Sequence, residues 1–391
     1  MDLTIQPGKL RGEIQIIPSK SQAHRLLICA AFADKPTQLI CPETNQDIEA
    51  TADCLRALGA DIRRTEMGYS VTPNRRTPST AVLNCRESGS TLRFMLPVAG
   101  ALGVDATFQM AGRLPQRPLS PLWEEMERMG CRLTRPTVDT IRCQGQLFAG
   151  TYRIDGGVSS QFITGLLLAL SLFNQESQVQ ITGKIESRPY IDMTRQAIAL
   201  FGADPDRPGR LPFRSPGRLT VEGDWSNGAF WLAAQALENP VTVSGLDPAS
   251  AQGDRAAANI LPLLEKGTPT VSAADIPDLV PILSIVAGAK HGAVFTNIQR
   301  LRLKESDRVA STIAMLESLG GKAEASEDTL TVHATGYRGG TVDTCNDHRI
   351  AMAAAIAATV CTEAVTVLGA QCVQKSYPRF WEEYRRLGGK V

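Results

Sequence analysis

A short helical tail closed by glycine recurs six times along this chain. The tails are Leu55-Arg56-Ala57-Leu58-Gly59, Met126-Glu127-Arg128-Met129-Gly130, Ile198-Ala199-Leu200-Phe201-Gly202, Leu263-Leu264-Glu265-Lys266-Gly267, Leu316-Glu317-Ser318-Leu319-Gly320 and Tyr384-Arg385-Arg386-Leu387-Gly388. Each glycine suits a helix C-terminus, where a positive φ costs glycine little. Their regular return points to an array of similar units. Between the tails lies a second helix type, small and apolar on most faces, over 20–33, 87–101, 159–172, 226–236, 277–288 and 347–360. A helix that is apolar all round belongs in a core. Alternating β-rich segments surround it at 179–181, 219–221, 241–243, 330–332 and 365–367. The unit is therefore a few strands with one buried and one amphipathic helix. This predicts an α/β fold with mixed sheets, in two pseudo-symmetric halves of three units each.

A length of 391 residues accommodates such halves. The net charge of +1 gives no global field for nucleic acid or an anionic membrane, so any anion site must be a local concentration of cations. Nine cysteines without a Cys-x-x-Cys pair, and four dispersed histidines, predict reduced thiols in a cytoplasmic protein and no structural metal. The N-terminus lacks a basic region followed by an apolar core, so no secretory signal is expected. The longest apolar run, 162–173, is too short to span a membrane.

The buried helices open on unusual residues: Lys20 and Arg25; Ser88, Gly89, Ser90 and Arg93; Ser159, Ser160 and Gln161; Asp278; His348 and Arg349. Helix N-termini offer free N–H groups to anions, and the added cations strengthen that preference. Gly89 lets a ligand approach the backbone. Arg117, close to Pro115 and Pro118, presents a pre-organised guanidinium for a carboxylate or phosphate. Ser187-Arg188-Pro189-Tyr190 is a second polar turn. In Leu303–Arg308, Lys304 and Arg308 are four apart and would share a helix face, with Glu305 beside them. Taken singly, each stretch also reads as an ordinary cap or a solvated charged turn. Together they read as a cleft for phosphates and carboxylates.

Eight of these stretches occur in an order that carries a resemblance. Pro18-Ser19-Lys20-Ser21 with Arg25, Ser88-Gly89-Ser90-Thr91 with Arg93, Arg117-Pro118-Leu119, Ser159-Ser160-Gln161, Ser187-Arg188-Pro189-Tyr190-Ile191-Asp192, Ile276-Pro277-Asp278, Leu303-Lys304-Glu305-Ser306-Asp307-Arg308 and Asn346-Asp347-His348-Arg349-Ile350-Ala351-Met352 span nearly the whole chain. As a set they closely resemble the 5-enolpyruvylshikimate-3-phosphate synthase family. The resemblance implies two inside-out α/β barrel domains, 19–223 and 1–18 with 224–391, and an active site in the cleft between them. It implies transfer of the enolpyruvyl group of phosphoenolpyruvate to the 5-hydroxyl of shikimate 3-phosphate, with release of phosphate and without metal or organic cofactor. A cytoplasmic monomer of the shikimate pathway is expected, with no nucleic-acid or membrane partner.

Residue by residue, the resemblance gives Asp278 the role of base on the 5-hydroxyl. Glu305 becomes the proton donor and acceptor at the methylene carbon, Lys20 the bridging cation and His348 a supporting group. Phosphoenolpyruvate would rest on Lys20, Gly89, Arg117, Gln161, Arg308, Arg349 and Lys375. Shikimate 3-phosphate would meet Ser21, Arg25, Ser159, Ser160, Gln161, Ser187, Tyr190, Asp278 and Lys304. Glu87, Arg188 and Arg300 depart from the family's familiar Asn, Lys and Asn. Enolpyruvyl transfer to UDP-N-acetylglucosamine is the rival reaction on the same fold. That family has Lys-Asn where Lys20-Ser21 stands, and a cysteine in the loop matching 114–118, which has none here. A non-catalytic phosphoester-binding protein is the other rival, but it would have no need of both Asp278 and Glu305.

Overall fold

The computed structural model describes residues Met1–Val391. The chain forms two compact units, Met1–Ile17 with Gly223–Val391, and Pro18–Glu222. Helices α1 (Lys20–Ala31), α2 (Gln46–Ala57), α3 (Gly89–Leu102), α4 (Leu122–Arg128), α5 (Ser160–Leu170) and α6 (Arg188–Leu200) belong to Pro18–Glu222. The other unit holds α7 (Trp225–Ala236), α8 (Ala257–Leu264), α9 (Val280–Ala289), α10 (Arg308–Ser318), α11 (His348–Ala357) and α12 (Phe380–Arg386). The odd-numbered helices are the small, apolar ones, and they are core. Every residue of α11 is buried, as is every residue of α3 except Ser90 and Leu102. The even-numbered helices are amphipathic.

Local chemistry sets the helix ends. Ser19, Ser88, Ser159, Asp224 and Asp347 each accept a backbone N–H at the start of α1, α3, α5, α7 and α11. Such caps satisfy N–H groups that the first helical turn leaves open. The fifth of the buried helices, α9, departs from expectation. It begins at Val280 rather than 277, with no side-chain cap and Pro281 in its first turn, so Asp278 lies in the preceding loop. At the other ends, Gly59, Gly130, Gly202, Gly320 and Gly388 take positive φ just past α2, α4, α6, α10 and α12, as the repeat implied. Gly267 does not. There α8 stops at Leu264, Glu265 stays right-handed (φ −74°, ψ −20°), and the Gly267 N–H reaches Leu263 O at 3.2 Å without a left-handed residue.

Sheet topology repeats as well. Thr37–Ile40 lies parallel to Arg218–Thr220 and antiparallel to Gly68–Thr72, which pairs with Asp61–Thr65. The same order returns in Thr80–Asn84, Asp105–Gln109, Thr140–Gly145 and Cys131–Thr134. In the other unit it returns in Thr270–Ser272, Ala293–Thr296, Thr329–His333 and Lys322–Ala325. Smaller sheets pair Thr151–Asp155 with Gln178–Thr182, and Gly12–Gln15 with Val241–Ser244. Leu3–Ile5 runs antiparallel to Val365–Leu368, with Leu3 opposite Val367. The first strands of the chain thus pair with strands from the far half of the sequence. No helix is long and apolar enough to cross a membrane.

The helix-in-sheet arrangement depends on close packing between α3 and α5. A Cβ at Gly165 of α5 would sit 2.2 Å from Arg93 O and 2.8 Å from Pro97 Cγ of α3. Backbone cannot yield as a flexible side chain can, so Gly165→Ala is expected to destabilise the unit by about 1–3 kcal/mol. Urea unfolding checks this, and an unchanged midpoint would show that the helices separate freely.

Candidate functional site

In the unit Pro18–Glu222, the starts of α3 and α5 share one polar, cationic patch, and the start of α1 adds Lys20. Lys20 opens α1, and its Nζ lies 2.9 Å from Asp47 Oδ2 in the first turn of α2. Gly89 is the first residue of α3, and a Cβ there would lie 2.6 Å from Arg117 Nη1 and 2.9 Å from Arg93 Nη1. The absent side chain therefore makes room for two guanidinium groups. Arg93 donates to Gln161 Oε1 at 2.7 Å and to Pro118 O at 3.0 Å, while Gln161 Nε2 donates to Ser90 Oγ at 3.0 Å. Gly89, Ser90, Arg93, Arg117 and Gln161 are thus joined in one patch. Ser159 caps α5 ahead of the buried Ser160.

Arg25 is placed differently. It is buried, donating to Ser21 O, Tyr190 O and the hydroxyls of Thr164 and Thr194, with its guanidinium 5.2 Å from the Phe94 ring centroid. It ties the start of α1 to α5 and α6, holding the carbonyls of Ser21 and Tyr190 on one guanidinium. Burial lowers its pKa to about 10, which the Tyr190 phenol group offsets in part. Ser187, buried just before α6, takes a left-handed conformation (φ 54°), a local strain typical of ligand-facing turns. Burial, Lys20 and Arg25 push the His24 pKa well down, so its imidazole is neutral at pH 7 and shares a 2.7 Å hydrogen bond with Thr51.

In the other unit, one guanidinium organises the carboxylates. Arg308, the first residue of α10, is 1% exposed. Its Nη1 lies 2.6 Å from Asp278 Oδ1, its Nη2 2.6 Å from Glu305 Oε2, and its Nε 3.0 Å from Asp347 Oδ2. Asp278 also meets Arg349 Nη2 at 3.3 Å and Lys304 Nζ at 3.4 Å. Burial works against the charge of Arg308, but Asp347, Glu305 and Asp278 outweigh it and hold its pKa above the usual value. Arg349 behaves likewise: burial opposes its charge, and Asp278 with Asp254 outweighs the burial. For Lys304 burial wins, and its pKa falls despite Asp278.

Lys304 and Arg308 do not share a helix face, contrary to the spacing argument. Lys304 ends a 3-10 turn, Gln299–Leu303, in an extended conformation, and α10 starts only at Arg308 behind its cap Asp307. The break lets Lys304, Glu305 and Arg308 all address Asp278 or its partners. His348 and Arg349 open α11, both buried, and Lys375 Nζ donates to Asn346 O at 2.9 Å. Asn346 and Cys345 have φ of 56° and 48°, so strained backbone leads directly into Asp347. No group of three or more His, Cys, Asp or Glu is arranged to hold a metal ion.

Sequence reasoning marked Arg93 only as one of the cations at the helix starts, and assigned no role to Asp347 or Asp47. Asp347 is wholly buried, accepting from Arg308, Ser306 Oγ and the Arg349 N–H. The signal was available, since Asp347 immediately precedes an otherwise apolar helix that opens on His348 and Arg349. Arg93 lies four residues beyond Gly89, on the same face of α3.

The family described as EPSP synthase (3-phosphoshikimate 1-carboxyvinyltransferase) matches residues 5–384. The chain is 37% identical to the 3-phosphoshikimate 1-carboxyvinyltransferase of Clostridium kluyveri over 420 residues, covering 100% of this chain and 98% of the relative. It is 35% identical to that of Clostridium acetobutylicum over 416 residues, covering 99% and 97%. Among solved structures, an EPSP synthase from Acinetobacter baumannii aligns with a TM-score of 0.79 at 21% identity, covering 99% of this chain and 98% of the other. The enolpyruvyl transferase NikO from Streptomyces tendae aligns at 0.76 and 17%, covering 99% and 97%. These two structural likenesses bear on the fold alone.

Proposed function

This chain belongs to the EPSP synthase (3-phosphoshikimate 1-carboxyvinyltransferase) family, and from that premise we propose which of its residues carry the reaction. The enzyme transfers the enolpyruvyl group of phosphoenolpyruvate to the 5-hydroxyl of shikimate 3-phosphate and releases phosphate, in the shikimate pathway. Both substrates are phosphate esters that also carry a carboxylate. Cations must therefore meet several anionic groups at once.

The observation that carries the assignment is the hold of Arg308 on two carboxylates, Asp278 and Glu305, each 2.6 Å from it on adjacent nitrogens. Asp278 takes the proton of the 5-hydroxyl as its oxygen attacks C2 of phosphoenolpyruvate. Glu305, having taken a proton from solvent through its exposed side, gives it to C3 and turns the methylene into a methyl group. The bond between C2 and the phosphate oxygen then breaks, and phosphate leaves with the proton that Asp278 had taken. Glu305 recovers a proton from the methyl group, which restores the double bond. Acid–base exchange of this kind contributes about 10²–10⁴-fold. Lys20 bridges the reacting centre and His348 supports it. Gly89, Arg117, Gln161, Arg308, Arg349 and Lys375 receive phosphoenolpyruvate with Lys20. Ser21, Arg25, Ser159, Ser160, Gln161, Ser187, Tyr190 and Lys304 receive shikimate 3-phosphate with Asp278.

These roles fall on both units, so the proposal requires residues 19–223 and 1–18 with 224–391 to act on one substrate pair. A monomer in the cytoplasm completes the proposal, and nine free thiols support the reducing compartment. Phosphate release from phosphoenolpyruvate is the test. It should depend strictly on shikimate 3-phosphate, and release driven by UDP-N-acetylglucosamine instead would overturn the reading.

Gly89→Ala gives a more local test. Its methyl group would displace the Arg117 guanidinium, which is flexible enough to move without unfolding the helix. The apparent Michaelis constant for phosphoenolpyruvate should rise about tenfold, the cost of one weakened charged contact, with a much smaller change for shikimate 3-phosphate. Steady-state kinetics with each substrate varied checks this, and equal effects on both would move Arg117 out of the donor pocket.

A further inference from the structure

Asp254 is buried within a short turn, Gly253–Ala256, that is stitched to the start of α7. Gln252 makes the stitch, accepting from the Trp225 N–H at 3.0 Å and donating to Gly223 O at 2.8 Å. Asp254 Oδ2 is hydrogen-bonded to Ser226 Oγ, while Oδ1 is buried without a hydrogen-bond partner. The carbonyl of the same Ser226 accepts from Arg349 Nη1 at 3.0 Å, and Arg349 Nη2 faces Asp278. Arg349 Nε is itself buried without a partner. Two carboxylates, Asp254 and Asp278, thus lie within the field of one buried guanidinium, and only Asp278 is hydrogen-bonded to it.

We propose that Asp254 is a positioning residue for Asp278: by holding a proton against Ser226 it leaves the Arg349 charge to Asp278 and to the anionic substrate. The role rests on the assignment of Asp278 made above. An ionised Asp254 would compete for Arg349 and repel Asp278, weakening the site's hold on a phosphate or carboxylate. Its surroundings favour the neutral form. Burial first, then the Asp278 charge, push its pKa up to about 7, with Asp224 adding to the rise; Arg349 and the Ser226 hydroxyl oppose it. The Ser226 hydroxyl can serve either state, accepting from the neutral acid and donating to the carboxylate.

The sign of the stability effect follows. A carboxyl raised from about 4 in the unfolded chain to about 7 in the fold contributes stability that is complete below pH 4 and lost as pH rises to 7. Asp254→Asn cannot ionise. Its melting temperature relative to the unmodified protein should therefore climb between pH 4 and 7 and level off above, with no substrate present.

In turnover, kcat/KM for phosphoenolpyruvate should fall through pH 7 in the unmodified enzyme. Asp254→Asn should lack that limb, so the ratio of variant to parent rises roughly fivefold or more from pH 6 to 8.5. Ser226→Ala removes a donor to the carboxylate and should move the limb upward by about one pH unit. Parallel pH profiles for the parent and both variants would overturn the proposal in an active enzyme, as would a flat melting difference. An inactive parent would instead overturn the functional reading, and the melting difference would still decide whether Asp254 holds its proton.

Discussion

Glu305→Gln is expected to lower turnover by about 10²–10⁴-fold while shikimate 3-phosphate still binds. The side chain reaches Arg308 at 2.6 Å as a partly exposed carboxylate. An amide keeps its shape and one hydrogen-bond acceptor but can neither give nor accept the proton at C3. Asp278→Asn should lose a similar factor, since its oxygens serve as both base and partner to Arg308, Arg349 and Lys304. Calorimetric binding of shikimate 3-phosphate, set beside single-turnover rates, separates the two effects. Binding and turnover falling together for Glu305→Gln would assign the residue to charge balance rather than proton transfer.

Arg308→Leu should cost about 3–5 kcal/mol of stability in its unit, because it strips the partner from a buried carboxylate. Asp347 has no solvent exposure, so its charge would be left with only Ser306 and the Arg349 N–H. Chemical denaturation measures the loss. Adding Asp347→Asn should recover part of it, since the amide carries no charge to strand. A loss below about 1 kcal/mol, the scale of a surface pair, would show that the cluster is solvated rather than buried.

The repeat was legible because glycine has a distinct use at helix ends and because small apolar helices need a core on every side. Five glycine caps and all six buried helices follow from those two facts. Gly267 escaped because a right-handed ending leaves no mark in the residue type. The start of α9 escaped because Pro277 and Pro281 both suit a first helical turn, and only packing chooses between them. The ordered motifs resemble a known family strongly enough to name its reaction. They could not reveal that Arg25 is held by Thr164, Thr194 and Tyr190, since those partners lie more than a hundred residues away. Nor could spacing show Arg308 gripping three carboxylates, because the bend at Lys304 and the loop position of Asp278 come from tertiary packing. Asp254 gave no signal at all. A single acidic residue in a Gln-Gly-Asp turn becomes notable only once its burial is seen.

The most direct test of the proton-transfer mechanism is to run the reaction in deuterium oxide and examine the enolpyruvyl methylene of the product by NMR. Addition followed by elimination makes C3 a methyl group that carries one solvent-derived hydrogen, so the product methylene should contain deuterium. A product methylene free of deuterium at full turnover would contradict protonation at C3, and with it the role given to Glu305.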